Sequence, residues 1–344
     1  MTVPDSTTTL SIALVGCGNI ARAHWRGIRY HAPRIRVTAV VDADAANAES
    51  MAERTGAPAF TSLEEALAKG DFDAVDLMLP HDLHEEAATA SFEAGKHVCL
   101  EKPMAHDLES AGRILATAAQ HPDQVFMVAE QAQYWPDVVK ARQLIDAGAI
   151  GDVVTARACF YDPQQIDPDA PKPWRFELAR SGGGIAIDGG AHWIRPLRMM
   201  LGEVDEVVAA TGCHIPGMEG ESWVRALLRF RTGIAASFDA LLSPAPVAPT
   251  EDFRITGTQG ELVVEHGREG RLLLYNAGHP GGETIMRTFP GKVDSYGAEL
   301  HDFSLAVLDG KPLEAAPEFS LGEMRTALAM YRSTRTKRWE TVWD

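Results

Sequence analysis

The sequence predicts an α/β protein in two parts, a doubly wound parallel sheet over residues 1–129 and an α+β domain with a large, mostly antiparallel open sheet over 130–344. Three observations carry this reading. Apolar strand runs and helical periodicities alternate through the first part, as parallel crossovers require. A glycine-bearing turn joins its first strand to its first helix. Beyond residue 150, short apolar runs succeed one another with turn residues between them, as antiparallel strands do. At 344 residues the chain also exceeds one ordinary core.

Residues 12–15 form the first strand, and the following helix carries Ala21, Trp25 and Ile28 on one face. Between them lies Gly16-Cys17-Gly18-Asn19-Ile20-Ala21, a G-x-G-x-x-A turn. Gly16 permits the tight turn, Gly18 lets the main chain approach a pyrophosphate, and Ala21 lets the helix pack closely on the strand. The helix N-terminus then faces the anion. Residues 35–41 form the second strand and end in Asp42, 24 residues beyond Gly18. A carboxylate there accepts from the ribose hydroxyls of NAD and repels the 2′-phosphate of NADP. Ala43, Asp44, Ala45 and Ala46 supply no arginine for that phosphate, so NAD is the expected cofactor. Asp42 also suits a helix N-cap, and the two roles are compatible.

Residues 59–60 form a short strand, and Ser62 with Glu65 a capping box for a helix through Leu67. The fourth strand, 74–79, is broken by Pro80. His81 and His84 follow; His84 opens a helix running to Gly95 and reads either as a ring at the cofactor's edge or as a polar helix start. The fifth strand, 96–101, runs into Glu101-Lys102-Pro103. Lys102 thus stands at a strand's carboxyl end, where open α/β sheets bind ligands, and Pro103 keeps it out of the helical region. Asp107 caps a helix to Gln120, and 125–129 is the sixth strand.

Composition changes after Ala129 at Gln131, Tyr134 and Trp135, before a helix over 136–147 that stops at Gly148. Strands are expected at 152–161, 204–211, 223–230, 234–241, 253–256, 261–264 and 272–275, a loop at 162–173, and helices at 298–308 and 320–334. Gly182-Gly183-Gly184 leads into Asp188 and His192. At i and i+4 of a helix these share one face, where a carboxylate orients an imidazole; a mutually satisfied buried pair fits equally well. The glycines permit close approach to a ligand or to the other domain. Lys102, Asp188 and His192 are residue types able to handle an alcohol's proton while its carbon gives up hydride. No zinc-ligand spacing occurs, so no metal is expected.

The formal charge of −16 argues against nucleic acid and anionic membrane as partners. Cys17, Cys99, Cys159 and Cys213 are too scattered for a metal or redox motif and read as reduced. The first residues lack the basic and apolar segments of a signal peptide, and no apolar run is long enough to span a membrane, so a soluble cytoplasmic protein is expected.

Three linked motifs, Gly16-Cys17-Gly18-Asn19-Ile20-Ala21, Gly95-Lys96-His97-Val98 with Glu101-Lys102-Pro103, and Gly182-Gly183-Gly184 with Asp188 and His192, run in order across nearly the whole chain. Together they resemble the glucose-fructose oxidoreductase, inositol dehydrogenase and MocA family. The resemblance implies a Rossmann domain, a C-terminal open sheet used for homo-oligomer contacts, and NAD(P)-dependent sugar or polyol chemistry. It implies Lys102, Asp188 and His192 as the catalytic group, with Lys102-Pro103 as a candidate cis peptide. Cofactor contacts are expected from Gly16, Gly18, Asn19, Ile20, Asp42, Pro80, His84, Glu101, Lys102 and Gln131. Substrate contacts are expected from Lys102, Tyr134, Tyr161, Trp174, Arg175, Asp188 and His192. Arg195-Pro196 and Gln131-Ala132-Gln133-Tyr134 depart from the family's patterns; Pro196 is expected to kink its helix. A glycoside-cleaving enzyme that oxidises transiently and a non-catalytic nucleotide-dependent sensor are the rival expectations.

Overall fold

The computed structural model describes residues 8–164, 171–248, 250–265, 270–288 and 293–343. The chain forms two compact units, Met1–Gln131 with Val293–Leu321, and Ala132–Lys292 with Gly322–Asp344.

The first unit runs β1 (Leu10–Val15), α1 (Asn19–His31), β2 (Ile35–Val41), α2 (Ala45–Thr55), β3 (Ala59–Phe60), α3 (Leu63–Lys69), β4 (Ala74–Leu77), α4 (His84–Glu93), β5 (His97–Glu101), α5 (Leu108–Gln120) and β6 (Phe126–Ala129). The strands pair in parallel in the order β3-β2-β1-β4-β5-β6. The order reverses between β1 and β4, so the crevice for a ligand opens outside the carboxyl ends of those strands. β4 ends at Leu77, not residue 79, because Leu77 pairs with Val15, the last residue of β1. Ser62 caps α3 by accepting from the Glu65 amide, and Asp107 caps α5 through Ser110.

Two features depart from the expected pattern. The buried face of α1 is Ala21, His24, Gly27 and Ile28, with Trp25 only half-buried, so a histidine sits where an apolar residue was expected. A later helix, α9 (Val293–Asp309), also belongs to this unit, although the sequence places it in the second domain. It crosses α1 where both helices carry glycine: a Cβ on Gly27 would lie 2.6 Å from the Gly297 amide nitrogen. The Arg34–Asp309 ion pair at 2.7 Å fixes the far end of the helix.

The second unit holds α6 (Pro136–Asp146), β7 (Val153–Pro163), α7 (Leu178–Ser181), α8 (Ala191–Leu201), β8 (Val204–Gly212), β9 (Trp223–Phe230), β10 (Ala235–Ser243), β11 (Glu251–Gly257), β12 (Gly260–Glu265), β13 (Gly270–Asn276), β14 (His279–Thr288), α10 (Leu321–Thr336, which enters this unit at Gly322) and β15 (Glu340–Thr341). Its nine strands pair in the order β14-β13-β12-β11-β7-β10-β9-β8-β15, and of these pairs only β7 with β10 is parallel. Period-two alternation gives the sheet one inner face: Val224, Ala226, Leu228 and Phe230 are buried with Val138, Ile194, Leu197 and Met330, while Arg225, Leu227 and Arg229 are exposed. The strands β14 and β15 were not expected; β14 is a mostly exposed edge rich in Gly and Pro, with no apolar alternation to reveal it. Residues 165–170 of the expected loop lie outside the described residues.

The glycine crossing and an open glycine site make opposite predictions. Gly27→Ala should destabilise by about 1–3 kcal/mol, because main chain rather than a side-chain tip obstructs the methyl. Exposed Gly112 of α5 has nothing within 4 Å of its Cβ position, so Gly112→Ala should stabilise by about 0.5–1 kcal/mol. Urea midpoints at constant m-value compare the two.

Candidate functional site

In the first unit, the turn from β1 to α1 is shaped for a dinucleotide. Gly16 has φ +89°, and a Cβ there would lie 2.9 Å from the Met78 carbonyl carbon, so only glycine passes the end of β4. Gly18 is exposed, and a Cβ on it would meet nothing within 4 Å. No side chain caps α1, and its first turn carries no acidic residue, so its amides suit an anion. Asn19 is exposed and Ile20 half-buried beside them. Asp42 is fixed at the turn: Oδ2 accepts from the Cys17 amide at 2.7 Å and Oδ1 from the Asp44 amide at 2.9 Å. The cap of α2 is Asp44, not Asp42. Burial, aided by the Asp42 charge, pushes the Cys17 thiol up to about 12, which leaves it unreactive at neutral pH. These residues fit the pyrophosphate and ribose of NAD.

At the exit of β5, Lys102 is half-buried and its bond to Pro103 is cis, as the resemblance implied. Its amide donates to Ala129 O at 3.1 Å and to Glu101 Oε2 at 3.0 Å. The turn is also held from the other side by His84, which is fully buried. Its Nδ1 lies 3.1 Å from Pro103 O and 3.3 Å from Met104 O, and its Nε2 lies 2.9 Å from Leu79 O. Burial draws its pKa down. Of the two sequence readings, the one that put His84 at the cofactor's edge gives way, because both ring nitrogens face main-chain carbonyls and the ring brackets the ends of β4 and β5. Half-buried Pro80 marks the exit of β4. Glu101 and Gln131, expected against the cofactor, are turned toward the unit's interior: Glu101 bonds His24, and Gln131 Oε1 accepts from Ser295 Oγ at 2.6 Å.

His24 anchors a buried polar cluster that sequence reasoning missed. Its Nδ1 lies 2.8 Å from Asp76 Oδ2 and its Nε2 3.0 Å from Glu101 Oε1, with Glu299 Oε1 3.9 Å away and the Tyr296 ring 5.3 Å from its own. Burial opposes charge on His24, but Asp76 and Glu101 outweigh it and hold the ring well above the ordinary imidazole range. Burial and the neighbouring carboxylates keep the Glu299 carboxyl protonated well above the usual range, with only His24 acting against them. The sequence signals were a histidine on the apolar stripe of α1 and an aspartate inside the apolar strand β4, both of which demand buried partners.

In the second unit, buried Glu221 holds the glycine run. Its Oε2 accepts from the Gly184 amide at 2.9 Å, and its Oε1 from the Ala186 amide and the Tyr331 hydroxyl, both at 2.8 Å. The expected purpose of these glycines needs revision: a Cβ on Gly183 would strike the Tyr331 ring at 2.8 Å, and one on Gly184 the Glu221 amide nitrogen at 2.5 Å, so the close approach serves this unit's own packing. Asp188 lies in the turn before α8 rather than on it, and its Oδ2 accepts from Arg175 Nε at 2.9 Å. The guanidinium also lies 4.4 Å from the centre of the Trp174 ring. His192, in the first turn of α8, is half-buried with its ring 6.3 Å from that of Trp135; Tyr134 is half-buried too. Tyr161 is not with them. Its neighbour Phe160 stacks on Trp193 of α8 at 3.9 Å, so alternation turns Tyr161 to the sheet's other face, where its hydroxyl accepts from Arg225 at 2.8 Å. α8 carries Pro196 inside it and runs on to Leu201, and Arg195 is buried against Glu323 (2.6 Å) and Gln133 (3.1 Å).

A doubly wound sheet with this glycine turn and a carboxylate at the end of its second strand defines an NAD-binding oxidoreductase of the Rossmann type. More particularly, the chain belongs to the Gfo/Idh/MocA family. Residues 10–129 match the model described as oxidoreductase family, NAD-binding Rossmann fold, and residues 138–263 match the GFO/IDH/MocA C-terminal domain. The chain is 30% identical to 1,5-anhydro-D-fructose reductase of Ensifer adhaerens over 94% of its own length and 96% of that protein's. It is 28% identical to levoglucosan dehydrogenase of Pseudarthrobacter phenanthrenivorans, covering 97% and 98%. Among solved structures, an NAD binding oxidoreductase from Klebsiella pneumoniae superposes with a TM-score of 0.86 at 26% identity, covering 98% and 100%. No helix among the described residues is long and apolar enough to cross a membrane.

The cluster around His24 gives stability a definite pH dependence. Both His24 and Glu299 hold protons in the folded state that the unfolded chain releases, so their contributions are complete below the unfolded values. The Glu299 contribution fades as pH rises above the carboxyl range, and that of His24 above the imidazole range. Each proton makes the slope steeper by up to about 1.4 kcal/mol per pH unit. Between pH 7 and 9 urea stability should therefore fall, and His24→Gln should flatten that fall; a slope unchanged by the substitution would show that His24 is neutral.

Proposed function

We propose that this NAD-dependent oxidoreductase oxidises a secondary hydroxyl of a sugar, glycoside or cyclic polyol of the inositol kind. The observation that carries the reading is Lys102, a half-buried ammonium held at the carboxyl end of β5 beside the sheet's switch point. NAD, when bound, supplies the hydride acceptor. Gly16, Gly18 and the α1 amides hold its pyrophosphate, and Asp42 its ribose. Lys102 binds and polarises the reacting oxygen, and His192 takes the hydroxyl proton as general base. Asp188, adjoining His192 in the chain, works with Arg175 as a paired carboxylate and guanidinium suited to neighbouring hydroxyls. Trp174 beneath Arg175 offers a flat apolar surface to a sugar ring. The names of the relatives, which describe anhydro-sugar and inositol substrates, support this substrate class.

The reading extends to a reducing cytoplasmic setting and a homo-oligomer. Four free thiols, three of them buried, support the first. The exposed Leu227 on the outer face of the second sheet supports the second.

An absorbance screen at the NADH band across polyols, sugars and glycosides, with levoglucosan and myo-inositol included, should give turnover on at least one. Lys102→Ala and His192→Ala should each lose roughly a hundredfold or more in kcat while NAD still binds. Near-normal turnover in either variant removes that residue from the mechanism. On the same substrate kcat/KM should favour NAD over NADP, and Asp42→Ser should narrow the difference by removing the charge that repels the 2′-phosphate; a native preference for NADP would overturn the assignment of Asp42.

A further inference from the structure

We propose that His24 is a positioning residue for Lys102: by bridging Asp76 and Glu101, it locks the Glu101 carboxylate onto the Lys102 amide and so sets the environment of the lysine ammonium. The inference rests on the role given to Lys102 above and assigns a task to a group that the mechanism does not otherwise use.

The connections run through one unit. His24 projects from α1, the helix that opens at the nucleotide turn, and is fully buried. One ring nitrogen meets Asp76 in β4, and the other meets Oε1 of Glu101, the last residue of β5. The second oxygen of that same carboxylate accepts from the Lys102 amide at 3.0 Å. A single carboxylate therefore joins the helix that receives the cofactor's phosphates to the main chain of the proposed catalytic lysine. Among the described residues, the titratable groups acting on this cluster are Asp76 from β4, His84 from α4, which burial holds toward its neutral form, Cys99 and Glu101 from β5, Glu130 after β6, and Tyr296 and Glu299 from α9. The imidazolium is the balancing charge within this set. Without it, the carboxylate of Glu101, which neighbours Lys102 in the chain and bonds its amide, is left uncompensated, and a nearby negative charge favours the charged form of an amine.

The test reads the amine directly. With NAD bound, Lys102 is trace-labelled with acetic anhydride across a pH series and quantified by mass spectrometry beside the exposed Lys69 and Lys172. In His24→Gln the half-labelling pH of Lys102 should rise by about half a unit or more, with the two reference lysines unmoved and NAD affinity retained. Asp76→Asn keeps the shape of the site and weakens the bridge, so it should shift Lys102 in the same direction and carries the test if His24→Gln fails to fold. In the unaltered protein, nitrogen-15 spectra of His24 should show both ring nitrogens protonated at pH 8. A neutral ring, or a Lys102 midpoint unmoved in folded variants, overturns the proposal. Lys102→Ala separates the two readings: full turnover in that variant defeats the catalytic role of Lys102, whereas an inactive Lys102→Ala together with an unmoved midpoint defeats only the positioning role of His24.

Discussion

A histidine buried among carboxylates organises the first unit. Removing an imidazolium and its partners from water costs several kcal/mol, recovered only where geometry and hydrogen bonding are good. His24 meets that condition with two short contacts, and the elements it joins, α1, β4 and β5, border the crevice at the switch point. Glu299 shows the alternative available to a fourth acidic group. With burial and three carboxylates raising its pKa, it gives up its charge instead of finding a counter-ion.

The second unit solves the same problem with other groups. Glu221 is buried, yet its two oxygens accept from two main-chain amides and a tyrosine hydroxyl, so the glycine run that leads to Asp188 and His192 has a fixed path. Below that run, Arg195 and Arg198 of α8 share Glu323, and Arg198 also pairs with Glu203 at 2.6 Å. The departure from the family pattern at Arg195-Pro196 is thereby absorbed: the arginine holds α8 through its pairing with Glu323.

Much of the fold was legible because local rules agreed with tertiary ones. The glycine turn, the strand ending at Asp42, the Ser62 and Asp107 caps and the alternation through β9 each state their structure within a few residues. What escaped depends on partners far away in sequence. No local pattern says that α9 returns to α1, where the Gly27–Gly297 crossing lets it fit. Of the candidate site, Gly16, Gly18, Asp42 and Lys102 sit where motif spacing put them. The orientations of His84, Glu101 and Tyr161 were not legible, because position in a motif does not say which way a side chain turns. Burial and sheet alternation decided those cases.

The return of α9 also bears on how the protein is made. A ribosome that has just finished β6 has synthesised every strand of the first sheet, but not the helix that covers Gly27 or the carboxyl group of Glu299. Until that helix emerges, a polar histidine and its acidic neighbours face solvent along one side of a half-built layer. The nucleotide-binding part is therefore complete only after nearly the whole second unit has been synthesised.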